Sequence, residues 1–403
     1  MGMKIDGHAL EWRGEGETLR IESWGVDSVR IRASKKMPID NTNWGLLDEH
    51  HEARDAVAVS IDENAGVATL TNGNLVVTAH MFREDNPGAG HTESLCELSF
   101  STVDGKELFH EMPQHGALKL HARSYSPADG GSQRIEALFQ ASENEHLYGM
   151  GEYQQSYMDL KGCSFELAHR NSQASIPFVV SSAGYGFLWN NPAIGTAEFS
   201  KNRTSWKAES ARQLDYWVTT GKTPAEIERH YADATGHAPV MPEWGLGFWQ
   251  CKLRYWDQNQ VLDVAREFKR RNIPIDVLVI DFFHWPHMGD FRFESEFWPD
   301  PKAMCDELHD MGIKVMVSVW PQISLKSENY ETMLENGFLV SSERGIDVAN
   351  MYQEPNQFFD ATNPQAREFV WGKCKANYAD LGVDAFWLDE AEPEYGTYDF
   401  ANY

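Results

Sequence analysis

No apolar run in the chain is long enough to cross a bilayer. Its longest aliphatic stretch covers only residues 277–280, and a membrane helix needs roughly 20 such residues. The first twenty residues hold no apolar core of a secretory signal. Cysteine is scarce, odd in number and scattered: Cys96, Cys163, Cys251, Cys305 and Cys374. None stands in a CxxC or Cys/His zinc spacing. Basic residues are outnumbered, 35 Lys and Arg against 61 Asp and Glu, for a net charge of −26. Phosphate contacts need clustered cations, so neither nucleic acid nor an anionic membrane surface is expected as a partner. GxSxG, the P-loop and a GxGxxG opening a helix are all missing, which removes serine-hydrolase and nucleotide readings. Together these absences predict a soluble, cytoplasmic protein with no metal and no cofactor.

What is present divides into two halves. Short alternating segments at 19–23, 29–33, 57–61, 68–71 and 75–78 read as strands. Others follow at 134–139, 176–181, 186–189, 205–210 and 214–219. Asn72-Gly73 and Asp104-Gly105 mark hairpins between strands. Many short strands and few helices predict a sandwich. Thr223-Pro224-Ala225-Glu226 joins a capping box to a proline at the first helical position. It predicts a connecting helix over 222–241, with the sandwich at 1–221 and a second domain at 242–403.

From Trp244 onward, strand and helix alternate. Strands are expected at 246–250, 275–281, 313–320 and 383–389, and helices after Asp257, over 302–311 and 329–335, and after Asn363. Such a series means a parallel sheet. A closed eight-fold barrel and an open doubly wound sheet both begin this way.

In parallel α/β folds, functional groups gather at the C-terminal strand ends. Asp281, Trp320 and Asp389 end three of these strands. An Asp in that place can also do no more than cap the next loop. Eight of the chain's 14 tryptophans lie from residue 244 on. Flat aromatic walls beside carboxylates suit a sugar, with its C–H faces and hydroxyl edges. Packing is the plain alternative, and Trp249 and Trp298 fit it as well as they fit a ligand. Four carboxylates, Asp389, Glu390, Glu392 and Glu394, fall within six residues. Their spacing is not that of an EF-hand. Glycoside hydrolysis needs only paired carboxylates and aromatic walls.

Several segments in order resemble glycoside hydrolase family 31, the α-glucosidase and α-xylosidase family. They are Trp244-Gly-Leu-Gly-Phe-Trp-Gln250, Asp276-Val-Leu-Val-Ile-Asp281, Phe297-Trp-Pro-Asp-Pro301, Phe359-Asp-Ala-Thr-Asn-Pro364 and Phe386-Trp-Leu-Asp-Glu-Ala-Glu392. Tyr148-Gly-Met-Gly-Glu152 and Ile176-Pro-Phe-Val-Val180 resemble that family's N-terminal domain. The resemblance implies a galactose-mutarotase-like β-sandwich followed by the first half of a (β/α)8 TIM barrel. It also implies a retaining exo-α-glycosidase acting on an oligosaccharide or other α-glycoside. Asp389 matches the catalytic nucleophile and Glu392 the second acid of its motif. Asp281 matches the acid that holds sugar hydroxyls, with Phe283, Trp285, Trp320 and Trp387 as walls. Some α-xylosidases of the family have Lys where Trp387 stands, so xyloside and glucoside both stay open.

The family's acid/base is an Asp on a later strand, and no residue here matches it. Tyr403 comes fourteen residues after Asp389, and a whole barrel takes about 250 residues. The expectation is therefore a fragment with little or no hydrolysis of its own. Two other readings compete: a non-catalytic carbohydrate-binding protein, and a metal-dependent α/β hydrolase using Asp281 and Asp389. Whether the chain forms a homo-oligomer is left open.

Overall fold

A computed structural model describes residues 2–48, 57–86, 90–113, 121–128, 131–341 and 353–392. The chain divides into two compact units, Met1–Ala238 and Pro239–Tyr403.

The first unit is built from three antiparallel sheets. The largest runs, in spatial order, Gly2–Asp6, Ala9–Gly14, Glu17–Ser23, Ser28–Lys35, Leu214–Thr220, Tyr185–Trp189, Ala174–Ser181 and Leu147–Glu152. The period-2 pattern fixes its faces. Val29, Ile31 and Ala33 point into a core that also draws Val77 and Phe100 from the second sheet and Ile135 and Trp206 from the third. Aromatic rings join the sheets: Phe100 stacks on Phe109 at 4.4 Å, and Phe187 stacks on Trp206 at 5.1 Å. The opposite face of the first sheet carries Arg30 and Arg32, which the alternation would leave in water. Both are buried. Arg30 grips Asp215 at 3.0 and 2.5 Å and lies over the Trp24 ring, and Arg32 meets Glu22 at 2.5 Å.

The hairpin expected at Asn72-Gly73 forms one residue later. Asn72 pairs with Leu75, so Gly73 and Asn74 make the turn, and Gly73 takes a positive φ of 56°. Glycine at the first central position is what a type II′ turn requires. The slip follows from the Asn72 amide, which turns inward and donates to the Gly25 and Ser28 carbonyls.

Helix Pro224–Thr235 begins as the capping signal predicts, with the Thr223 hydroxyl accepting from the Glu226 N–H. Ile227 and Tyr231 then pack on Phe178, Val180 and Trp217, so this helix is part of the first unit's own apolar structure.

The second unit holds a four-stranded parallel sheet in the order Trp249–Lys252, Val277–Ile280, Lys314–Val319, Ala385–Leu388. These are the first to fourth barrel strands. Spatial order follows chain order, whereas a doubly wound sheet reverses direction partway. Helices Gln258–Arg270, Pro301–Asp310 and Pro364–Asn377 contribute Val261, Leu262, Leu308 and Ala366 to one core. That core takes Leu278, Ile280, Val315, Val317 and Val319 from the strands, which are alternate residues of a single face. All three helices therefore cover the same side, as around a barrel. The fold class read from the sequence, a sandwich followed by the first strands of a (β/α)8 barrel, is the one present.

The first barrel strand was expected at 246–250. A 3-10 turn occupies Glu243–Leu246 instead, closed by Gly245 N–H to Pro242 O, and the strand starts at Trp249. The apolar signal of Leu246 and Phe248 hid that turn. A two-stranded antiparallel sheet, Gln322–Ser324 with Asn356–Phe358, went unread because each strand has only three residues.

Candidate active site

Strand register places the site residues on one face. Val279 is level with Met316, Met316 with Ala385, and Ser318 with Trp387. Continuing each strand in steps of two brings Asp281, Trp320 and Asp389 to the same edge of the face opposite the helices. Asp281 and Asp389 extend the second and fourth strands, and Trp320 extends the strand between them.

The three residues interact. The Trp320 indole Nε1–H donates to Asp389 Oδ2 at 3.2 Å. The Asp389 N–H donates to the Val319 carbonyl at 3.2 Å, which keeps the fourth strand in register to its end. Asp281 is 7% exposed, and its Oδ1 accepts the Phe282 N–H at 2.8 Å. Burial raises the pKa of Asp281. The negative charge of Asp389 pushes it further the same way, against the Phe282 N–H. Neither carboxylate has a cation beside it among the described residues. The simple capping role is thus half true for Asp281, which does tie its own loop. Among the described residues, Asp389 accepts from the Trp320 indole and from no N–H of its own loop.

The loop after Asp281 builds the wall. Phe282 lies 4.9 Å from Trp320 and 4.3 Å from Phe283, and Phe283 is 6.4 Å from Trp320. Trp285 is buried with Met288 and meets Trp320 edge-on at 5.5 Å. Phe283 holds a positive φ of 66°, which a bulky residue adopts only under constraint. His284 supplies one. Its Nδ1–H donates to the Asp281 carbonyl at 3.0 Å, which leaves Nε2 to accept the Tyr378 hydroxyl at 2.9 Å. His284 is fully enclosed, and burial pulls its pKa down to about 4, so the ring is neutral.

Sequence reading named Asp281, Phe283, Trp285, Trp320 and Asp389, and the structure gathers them. Trp387 lies on the same face, 37% exposed, at the sheet's edge strand. Glu392 is partly buried three residues beyond Asp389 and bonds no described residue. Trp298 is buried against Phe293 and is a packing residue. Trp249 leans on Trp244 and bonds the Gly245 carbonyl. The acidic run is not a loose solvated loop where it is described. Glu390 sits at a φ of 56° and accepts from the buried Gln322 amide at 3.5 Å. Glu394 lies outside the described residues.

Phe282, His284, Gln322 and Tyr378 were missed. Only His284 carried a signal, as a histidine three residues after a strand-ending Asp. Among the described residues, no group of three or more His, Cys, Asp or Glu side chains is placed to hold a metal ion. None of the described helices is long and apolar enough to cross a membrane.

Residues 238–402 match the TIM-barrel domain of glycosyl hydrolases family 31. Residues 18–198 match the glycosyl hydrolase 31 N-terminal galactose mutarotase-like domain. The chain is 46% identical, over 98% of its length, to an uncharacterized family 31 glucosidase of Pseudescherichia vulneris, of which it covers 75%. It is 32% identical over 93% of its length to alpha-xylosidase A of Aspergillus niger, of which it covers 52%. Among solved structures, a GH31 alpha-xylosidase from a soil metagenome, complexed with xylose, superposes with a TM-score of 0.88 at 45% identity. That match takes in 99% of this chain and 59% of the other.

Proposed function

This chain belongs to glycosyl hydrolase family 31, and from that premise we propose that it carries the nucleophile side of a retaining exo-α-glycosidase site. In this reading Asp389 attacks the anomeric carbon of a terminal α-linked sugar. The bond to the leaving-group oxygen breaks, and a β-glycosyl-enzyme forms. Water then opens that ester with net retention. Asp281 holds hydroxyls of the same sugar, and Phe283, Trp285, Trp320 and Trp387 wall it. Glu392 steadies groups around the nucleophile. Protonation of the leaving group falls to a second acid that is not assigned to any residue of this chain. Hydrolysis is therefore proposed for the whole protein.

The observation that carries the reading is the pair Asp281 and Asp389. They share one face at the strand ends, feel each other's charge, and have no cation between them. The Trp320 N–H orients Asp389 through Oδ2 alone. The relatives that bear a xylosidase name favour an α-xyloside over an α-glucoside as substrate.

The test is hydrolysis of p-nitrophenyl α-D-xyloside and α-D-glucoside, followed by NMR of the first anomer released. The expected result is the α-anomer, faster release from the xyloside, and no change on adding a chelator. Release of the β-anomer, or loss of activity with chelator, overturns the mechanism.

A further inference from the structure

Arg254 lies two residues beyond the first barrel strand, on the loop at that strand's C-terminal end. Its guanidinium sits 3.8 Å from the centre of the Trp256 ring and 4.9 Å from that of Phe283. Nη1 makes a long contact of 3.5 Å with the Phe283 carbonyl. Nε and Nη2 bond no described residue, and no described carboxylate pairs with the group. In a chain with 61 acidic residues, a guanidinium close to two rings and left without a described acid partner has donors to spare.

Its position says for what. Phe283 is also 6.4 Å from Trp320, whose indole bonds Asp389. Arg254 is therefore one ring removed from the wall of the site. Asp281 is buried at 7% exposed, whereas Trp256 is 58% exposed. Asp281 lies deep and the Arg254–Trp256 pair lies further out. An exo-acting site holds the terminal sugar at the carboxylates and the leaving group further out. A planar fork of N–H donors fits the hydroxyl oxygens of a sugar ring, and the two ring contacts hold it before binding.

We propose that Arg254, in contact with the rings of Trp256 and Phe283, is a specificity-determining contact for the leaving-group sugar, a neutral polyhydroxylated ring. The proposal rests on the glycosidase reading above. It is tested by calorimetric titration of the full chain carrying Asp389→Asn, so that ligand is not consumed. The probes are D-xylose and the disaccharide α-D-xylosyl-(1→6)-D-glucose. The readout is the ratio of the two affinities, with and without Arg254→Ala or Arg254→Met, circular dichroism checking the fold. Losing charge-assisted hydrogen bonds should lower the disaccharide preference about tenfold or more in both variants. Arg254→Lys, which keeps the charge without the fork, should restore only part of it. If both sugars bind and the ratio is unchanged in Ala and Met variants, the Arg254 assignment falls and the glycosidase reading stands. If neither sugar binds the chain with Arg254 intact, both fall.

Discussion

The carboxylates of the sandwich and those at the barrel strand ends keep different company. In the sandwich they stand beside cations: Asp215 with Arg30, Glu22 with Arg32, Glu17 and Glu111 with Arg123, and Glu145 with Lys161 at 3.7 Å. At the barrel strand ends Asp281 and Asp389 feel each other's charge, and among the described residues an indole N–H and a loop N–H are the side-chain hydrogen bonds they accept. A buried charge with a hydrogen-bonded counter-charge can stay fixed through the life of the fold. Two like charges left near each other are an unfavourable arrangement that serves chemistry. Asp290, also buried in the second unit, is held by the His287 and Glu328 N–H groups but ends no strand. Missing counter-charge and strand-end position coincide at Asp281 and Asp389, and the two together mark the site.

The comparison can be broken most severely at Asp389. In the protein competent for turnover, Asp389→Ala should cut p-nitrophenol release about 10⁴-fold or more with the fold unchanged. Next comes a matched pair read by urea unfolding. Asp215→Asn strands Arg30, which is wholly buried, and should lose about 3–5 kcal/mol. Asp281→Asn removes a carboxylate without a counter-charge and should lose less than about 1 kcal/mol. Equal losses would erase the distinction between the units.

A third effect concerns His284. Its pKa is about 4 in the fold, against about 6.5 in an unfolded chain. Above pH 6.5 both states are neutral, and its contribution is complete. As pH falls from 6.5 to 4 only the unfolded chain takes up the proton, so stability drops by up to about 3 kcal/mol. His284→Asn should flatten that part of the pH–stability curve. The smallest effect belongs to Trp320→Phe, which keeps the ring and deletes the N–H to Asp389. It should lower kcat about tenfold to a hundredfold, with little change in thermal stability.

Much of this was legible in the sequence because strand-ending residues obey a simple rule. Apolar runs closing in Asp281 and Asp389 announce both strand and site, and period-2 counting puts them on one face. Helix starts were legible too, since Asp257, Asn363 and Thr223 each cap as their side chains allow. What stayed hidden depends on contacts distant in sequence. His284 meets Tyr378 ninety-four residues away, and Gln322 meets Glu390 across sixty-eight. Arg30 and Arg32 look like surface charges until Asp215 and Glu22 are seen beside them. The turn at Glu243–Leu246 was lost because its Leu and Phe neighbours mimic a strand.

The central claim is that Asp389 forms a bond to the sugar. A 5-fluoro-α-D-xylosyl fluoride tests it directly, because fluoride departs without help from an acid. Mass spectrometry of the digested protein should find one fluoroxylosyl unit on the peptide containing Asp389, and none after Asp389→Ala. A label on another residue, or one that persists in the Asp389→Ala protein, would contradict the account.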